Sequence, residues 1–230
     1  MSNQQQQVED AADQISKEFG IKTIGLYKDL AKESSADELF SYCNENNLKI
    51  EILINNAGIF FFRDIADKPM PLIETMMNLH VITVTKLCKL FAESMKENKS
   101  GYILNMSSIS AHTPYPGISL YTATKSYIRT FTKAYHYELK EFGVKVMVVC
   151  PGAVATDLYN LPKNLQQLGI KIGIIYRPEK LTHRAINKLL RGRKIEYVPG
   201  IINLLFKPIF AILPGCFKMW CRKKISKYQK

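Results

Sequence analysis

Two short, mainly apolar runs rich in β-branched residues, residues 50–54 and 144–149, each lead into a turn of Asn, Gly or Pro. Short runs of this kind, bounded by turn residues, are typical of buried strands in a parallel sheet. Both turns then lie at the carboxyl ends of strands, and this edge is where ligands bind in open α/β sheets. The pattern predicts a parallel sheet whose functional residues lie in the loops after its strands.

Between these runs, apolar residues recur at helical spacing. This spacing predicts helices over residues 72–96 and 119–141, the second ended by Gly143. The predicted strands cover residues 21–27, 50–54, 101–106, 144–149 and 195–198. Strands that alternate with helices in this way predict an α/β fold.

Tyr121 and Lys125 are four residues apart in the second predicted helix, so their side chains leave one helix face a turn apart. A Lys cation close to a phenol lowers a phenol pKa that is about 10 when unperturbed, and such a Tyr can act as a general acid or base. Ser108, at the end of a predicted strand, can hydrogen-bond the oxygen that exchanges the proton. Taken alone, the Tyr–Lys spacing also fits an ordinary helical pair with a solvated Lys.

Four motifs in one order carry a family resemblance. They are Asn55-Asn56-Ala57-Gly58, Ser108 thirteen residues before Tyr121, Tyr121-x-x-x-Lys125, and Pro151-Gly152-x-Val154-x-Thr156. Over roughly residues 8–200 they resemble the short-chain dehydrogenase/reductase family, which implies a Rossmann-like, doubly wound parallel sheet and an NAD(P)-dependent oxidoreductase.

One family feature does not occur in these residues. Members begin with a strand and a Gly-rich turn, TGxxxGxG, whereas the first glycines of this chain are Gly20 and Gly25. We therefore expect an N-terminally truncated fold without the first strand, the Gly-rich turn and the second strand. In such a fold the strand at residues 50–54 exposes an apolar edge.

The resemblance implies a catalytic role for three residues. Tyr121 would exchange a proton with a carbonyl or alcohol oxygen while hydride moves to or from the nicotinamide, and Ser108 would orient and polarise that oxygen. Ser107 is the adjacent alternative, but the family interval to Tyr121 matches Ser108. Lys125 would hold the ribose hydroxyls and keep the Tyr pKa low.

The cofactor contacts implied by the resemblance come from several loops. They are Asp29 at the adenine, the backbone of Asn56, Ala57 and Gly58 at the adenosine ribose, Pro151 and Gly152 around the nicotinamide, and Thr156 at its carboxamide, joined by Tyr121 and Lys125. Asn55 would brace the strand ends. The cofactor is NADP or NAD, and NADP is expected only from the habit of the family.

His80 stands where relatives commonly carry an Asn that takes part in a water-mediated proton relay. An imidazole can donate to a backbone carbonyl and accept from water, so His80 is a candidate catalytic residue. A lone His on a mostly apolar helix equally fits a hydrogen-bonded core residue. The sequence is consistent with both interpretations.

Composition predicts one cytoplasmic domain. Residues 1–7 form a polar start, expected to be disordered, residues 8–200 form the incomplete Rossmann-like domain, and residues 201–230 form an apolar and basic tail. Five Cys without CxxC and four His without HExxH indicate neither a metal site nor a disulfide framework. The polar N-terminus argues against secretion.

Positive charge is concentrated towards the C-terminus. Residues 151–230 hold 16 Lys or Arg against 3 Asp or Glu, whereas residues 1–150 hold 16 against 17. Within residues 201–230, cations follow an apolar stretch that is too short and too broken by Lys207, Pro208 and Pro214 to span a bilayer. This tail fits peripheral membrane contact, and it equally fits a pocket cap or a homo-oligomer contact with a solvated end. No nucleic-acid recognition motif accompanies the charge.

The apolar residues after Thr156 suit a small hydrophobic carbonyl or alcohol substrate, such as an acyl or steroid-like ketone. The predicted function is interconversion of a ketone and a secondary alcohol. The alternative is a non-catalytic scaffold or binding protein that keeps the fold but cannot hold the dinucleotide.

Overall fold

The computed structural model describes residues 1–156, 158, 162–200 and 215–225. Residues 201–214 and 226–230, most of the predicted tail, lie outside the described residues. Within the described part of the chain, no helix has both the length and the apolar character needed to cross a membrane.

A four-stranded parallel sheet with the order β1-β2-β3-β4 forms the centre of the fold. Its strands are β1 (Ile52–Asn55), β2 (Gly101–Met106), β3 (Val144–Val149) and β4 (Glu196–Tyr197). The helices are α1 (Gln5–Phe19), α2 (Ser35–Glu45), α3 (Met70–Met77), α4 (Thr83–Glu97), α5 (Ser119–Lys140), α6 (Lys163–Lys171), α7 (Pro178–Arg191) and α8 (Gly215–Ile225), with a π-helix at Asn78–Ile82 and 3₁₀ turns at Ile65–Asp67 and Ile109–His112. The predicted α/β class with a parallel sheet is confirmed.

Successive strand residues face opposite sides of the sheet and build two cores. Ile103 on β2 and Val146 on β3 pack with buried residues of α2 and α4. Leu104 and Met147, one position further along each strand, pack with Leu181 and other buried residues of α7. Helices thus cover both sides of the sheet, as in a doubly wound fold.

A buried polar network joins the sheet to α5. Asn55, at the end of β1, donates from Nδ2 to Oδ1 of Asn105 on β2 at 2.8 Å. Asn105 donates to Thr132 Oγ1 on α5 at 2.9 Å, and Thr132 donates to the Ile128 carbonyl. Buried polar groups are tolerated when they are paired in this way. The network gives Asn55 the bracing position expected from the sequence.

We expect Asn105→Ala to lower the free energy of unfolding by about 2–4 kcal/mol, because it leaves a cavity and removes the buried partners of Asn55 and Thr132. Chemical denaturation measures the change. Asn44→Ala on the exposed side of α2 is the control and should change stability by less than about 0.5 kcal/mol. Equal effects of the two substitutions would contradict a stabilising role for the network.

The predicted strand over residues 21–27 does not form. Tyr27 makes a single parallel bridge to Ser2. The segment packs along α1, where Thr23 Oγ1 donates to the Ala12 carbonyl at 2.7 Å. A strand needs a neighbouring strand to pair its backbone groups, and none of the described strands lies beside this segment.

The start of the chain also differs from the expectation of disorder over residues 1–7. Gln5 and Gln6 open α1 and donate from Nε2 to Glu9 and Asp10, at 3.1 Å and 2.9 Å. Gln has a good helix propensity, and side chains four residues apart stabilise a helix. The first helix therefore begins at Gln5.

Strand β1 forms one edge of the described sheet and presents apolar side chains to solvent. Ile52 and Ile54 are 42 % and 48 % exposed. Ile54 pairs in register with Leu104, which is covered in the α7 core. The same side of the sheet is thus covered at β2 and open at β1, as expected for the strand at residues 50–54.

Candidate active site

The loops after β2 and β3 lie side by side at the carboxyl edge of the sheet. Ser107 N donates to the Val149 carbonyl, and Ile109 N donates to the Pro151 carbonyl, both at 2.8 Å. These bonds extend the β2–β3 pairing beyond the strands. They bring the loop that carries Ser108 against the turn that carries Pro151 and Gly152.

Lys125 is buried at this edge, with 5 % of its surface exposed. Its Nζ donates to the Met106 carbonyl at 3.0 Å, and its own carbonyl accepts from Ser107 Oγ at 2.6 Å. Burial lowers the pKa of Lys125 to about 8, although the electrostatic interaction with Cys150 acts to raise it. The side chain is therefore mainly a cation at pH 7.

Tyr121 lies on the same helix face and is as deeply buried as Lys125. Its ring meets Phe60 edge to face, with ring centroids 5.0 Å apart, and His80 with centroids 5.9 Å apart. Lys125 Nζ lies 5.6 Å from the Tyr121 ring centroid. The structure thus places the Tyr–Lys pair in one buried site, and the solvated-Lys interpretation does not fit.

The two candidate serines have different partners. Ser107 Oγ is bound to the Lys125 carbonyl. Ser108 caps the 3₁₀ turn that follows it, and its hydroxyl oxygen accepts from Ser110 N at 3.2 Å. Because an accepting hydroxyl keeps its own proton for donation, Ser108 is better suited than Ser107 to bind a substrate oxygen.

His80 lies in the π-helix between α3 and α4, so the single helix predicted over residues 72–96 is interrupted. Its ring is fully buried. Nε2 accepts from Ile59 N at 3.1 Å in the loop after β1. Nδ1 must then carry the proton, which it donates to Thr124 Oγ1 at 2.9 Å, and Thr124 donates to the Tyr121 carbonyl.

Protein groups thus contact both ring nitrogens of His80, which fits the hydrogen-bonded core interpretation better than a relay through water. The relay role stays a prediction. Thr124 and Phe60 were not predicted as site residues. Thr124 lies between Tyr121 and Lys125, and Phe60 opens an aromatic run directly after Gly58, so position relative to known motifs was the available signal.

We expect His80 to make stability sensitive to mild acid. Burial, reinforced by the Lys125 charge, lowers the pKa of His80 to about 3, whereas an unfolded His titrates near 6.5. The unfolded state therefore binds the extra proton between these values, and stability falls as the pH drops below about 6.5. The His80 contribution should amount to about 2 kcal/mol between pH 7 and pH 5.

Denaturant unfolding of the parent and of His80→Asn at both pH values measures this contribution. The other three histidines are common to both proteins, so the difference between their pH slopes isolates His80. Parallel slopes would show that His80 is not buried in its neutral form.

The predicted cofactor residues lie around the same edge. Asn56 and Ala57 are exposed directly after β1. A Cβ on Gly58 would approach His80 Nε2 to 3.0 Å and Lys125 Nζ to 3.6 Å, so this loop passes closely over the side chains of His80 and Lys125. Thr156 is exposed in the segment after β3.

Asp29 lies in a separate turn near the start of α4. Its Oδ1 accepts from Ala31 N at 3.0 Å, and the adjacent Leu30 carbonyl accepts from Thr83 Oγ1. These contacts tie the Asp29 turn to α4. The contact between Asp29 and an adenine ring stays a prediction.

Ligand atoms of His112, Cys150 and Glu196 all lie within 4.8 Å of one another, a grouping that the sequence spacing did not predict. Arg129 binds both carboxylate oxygens of Glu196, at 3.0 Å and 2.9 Å, and His112 Nε2 binds Oε1 at 2.7 Å. A metal ion would have to displace the guanidinium. The cluster therefore fits an ion-paired link between α5 and β4 better than a metal centre.

The family model described as short chain dehydrogenase matches residues 1–167. The chain belongs to the short-chain dehydrogenase family.

Among sequence relatives, the chain is 31% identical over 168 residues to a very-long-chain 3-oxoacyl-CoA reductase of Homo sapiens, covering 71% of this chain and 53% of the relative. It is 30% identical over 195 residues to an uncharacterised oxidoreductase of Bacillus subtilis (strain 168), covering 83% and 78%. The chain thus spans about half the length of the 3-oxoacyl-CoA reductases it matches.

Solved structures show the same fold. A 7β-hydroxysteroid dehydrogenase superposes with a TM-score of 0.83 at 23% identity, covering 99% of this chain and 85% of the other. A short-chain dehydrogenase from Sphingobium yanoikuyae in complex with NADPH superposes with a TM-score of 0.75 at 20% identity, covering 92% and 84%. At these identities the likeness concerns the fold alone.

Proposed function

We propose that this chain is an NAD(P)-dependent oxidoreductase that interconverts a ketone and a secondary alcohol on a hydrophobic substrate. The observation that carries the proposal is the buried Tyr121–Lys125 pair at the carboxyl edge of the sheet, where the Lys125 carbonyl is bonded to Ser107, the residue before Ser108. The relatives that are named 3-oxoacyl-CoA reductases, and a 17β-hydroxysteroid dehydrogenase type 3 of Danio rerio at 28% identity, support this class of reaction.

The donor set fits a dinucleotide. The Lys125 ammonium has three N–H donors, and the Met106 carbonyl accepts one of them, so others are available for ribose hydroxyls. The exposed residues Asn56 and Ala57 lie directly after β1, at the edge where α/β folds bind nucleotides. When bound, the nicotinamide supplies or accepts the hydride.

In the reductive direction, Ser108 donates a hydrogen bond to the carbonyl oxygen and fixes its position. Tyr121 transfers its hydroxyl proton to that oxygen as hydride reaches the carbonyl carbon, so the C=O bond becomes C–OH. The Lys125 cation beside the phenol stabilises the phenolate that forms. Tyr121 then regains a proton from solvent, and oxidation of the alcohol follows the same steps in reverse.

The segment after β3 supports the proposed substrate class. Five large apolar side chains of this segment and of α6 are 40–55 % exposed: Leu158, Leu165, Leu168, Ile172 and Ile174. Such a surface favours an acyl or steroid-like ketone over a sugar or a charged acid. We propose NADP rather than NAD in line with the NADPH-bound structural relative.

We expect Tyr121→Phe to lower kcat by a factor of about a hundred to ten thousand, because only the transferable proton is removed. The dissociation constant for NADPH should change by less than about threefold. Steady-state reduction of acyl and steroid ketones and a fluorescence titration with NADPH measure the two quantities. Tyr137→Phe, 63 % exposed on the same helix, is the matched control. Parent-like turnover of Tyr121→Phe would exclude Tyr121 as the acid.

Lys125→Met should weaken NADPH binding about tenfold or more, because the buried donor and its charge are lost. In the parent, affinity should also fall as the pH rises through about 8, where Lys125 loses its proton. Titrations between pH 6.5 and 9.5 measure both effects, with Lys140→Met at the exposed end of α5 as the control. An affinity that does not change with pH would contradict the ribose-binding role.

A second candidate is a protein that keeps the scaffold without turning over a substrate. The sequence favours it at one point, since no TGxxxGxG motif occurs in the 230 residues to bind a pyrophosphate through backbone amides. The NADPH titration separates the candidates, because the scaffold protein would show no saturable binding at millimolar concentrations. Cytoplasmic location and homo-oligomer formation stay predictions.

A further inference from the structure

A cavity of about 720 Å³ lies between α7, the edge strand β4 and the loops at Gly173 and Gly200. We refer to it as the α7 cavity. The polar side chains that line it come mainly from one face of α7: His183, Arg184, Asn187, Lys188 and Arg191. The hydroxyl-bearing rings of Tyr176 and Tyr197 complete the lining. The catalytic candidates are not among the lining residues.

The fixed charges that line the α7 cavity all have one sign. Arg184, Lys188 and Arg191 are cations, and no Asp or Glu is among the lining residues. Among the described acids after residue 150, Glu179 lies in the first turn of α7, and the Glu196 carboxylate is bound by His112 and Arg129. The three cations thus face one cavity without a carboxylate in its lining.

This arrangement is unfavourable while the α7 cavity holds only water. Arg184 and Lys188 are four residues apart on α7, and like charges at that spacing destabilise a helix. Lys188 is partly buried, with Nζ 5.1 Å from the Tyr197 ring centroid, which holds the cation against the cavity wall. An anion in the cavity would offset the repulsion between Arg184 and Lys188.

The donor chemistry fits a phosphoryl group. Two guanidinium groups offer planar, paired N–H donors, and Lys188 adds a compact charge. Tyr176 and Asn187 add neutral donors. Burial raises the pKa of the Tyr197 hydroxyl, and the charge and hydrogen bond of Arg184 oppose that shift, so the hydroxyl lies beside the Arg184 guanidinium.

We propose that the α7 cavity binds a phosphoryl group, and that a phospholipid headgroup is its source. The lipid source is favoured by chain connectivity, since Gly200 lines the cavity and the next six residues in the sequence are Ile-Ile-Asn-Leu-Leu-Phe. A cationic site directly before an apolar segment is the arrangement that anionic membrane surfaces attract.

The test uses the full chain and two variants with equal loss of charge. Arg184→Gln/Lys188→Gln removes two cations from the α7 cavity. Lys163→Gln/Lys171→Gln removes two exposed cations from the ends of α6, outside the cavity. Cosedimentation with phosphatidylcholine vesicles that contain 0 or about 30 mol% phosphatidate, a composition chosen to give a strongly anionic surface, measures partitioning. Calorimetric titration with inorganic phosphate measures the soluble source.

The cavity variant should lose about tenfold or more of its partitioning to phosphatidate vesicles, and the α6 variant should lose less than about threefold. Arg191→Gln provides a milder second variant at the end of α7, expected to lose about threefold to fivefold. Thermal unfolding of each variant shows whether it is folded.

Loss of phosphate binding in the cavity variant, with vesicle partitioning unchanged, would support the phosphoryl site and assign it to a soluble phosphorylated ligand. Equal losses in the cavity and α6 variants would overturn the proposal, because charge alone would then explain binding. Binding of the parent to neither phosphatidate vesicles nor phosphate would overturn it as well.

Discussion

The site depends on the reciprocal attachment of Lys125 to the end of β2. The ammonium binds the Met106 carbonyl, and the next residue of the strand, Ser107, binds the Lys125 carbonyl. Strand end and helix start are thus fixed by one bond in each direction. Moving α5 by even a fraction of a turn would leave a buried cation without its acceptor, which is far more costly than losing a surface ion pair. The position of Tyr121, one turn earlier on α5, follows from this attachment.

Much of the site could be predicted from the sequence because it depends on local periodicity. A spacing of four on a helix determines that Tyr121 and Lys125 share a face, and strand ends marked by Asn, Gly and Pro determine which loops reach the functional edge. The strands over residues 101–106 and 144–149 occur with the predicted bounds. The prediction of a strand over residues 21–27 was wrong, because the sequence of one segment does not show whether another strand lies beside it to pair with its backbone.

The surroundings of His80 could not be predicted, since they depend on a change of helix type. A π-helix shifts the angular positions of the residues that follow, so angles calculated for a regular α-helix do not apply across Asn78–Ile82. The bonds of His80 join it to two segments that are distant in sequence, the loop at Ile59 and helix α5 at Thr124, which in turn bonds the Tyr121 carbonyl. No local pattern encodes such a connection. The cations of the α7 cavity were visible only as the net charge of residues 151–230, and the fold decides which of them converge.

A strand that paired with the open side of β1 would complete the sheet and would also change the edge where the cofactor binds. A strand that hydrogen-bonded to β1 in parallel would cover the backbone edge, and the crossover helix that parallel connections require would lie over Ile52 and Ile54. Because parallel strands end at the same side of a sheet, the loop after such a strand would emerge beside Asn56, Ala57 and Gly58. Any polypeptide that shielded this apolar surface by parallel pairing would therefore add its own backbone amides to the nucleotide edge. Solubility and dinucleotide affinity would rise together in that assembly, as two results of one pairing event.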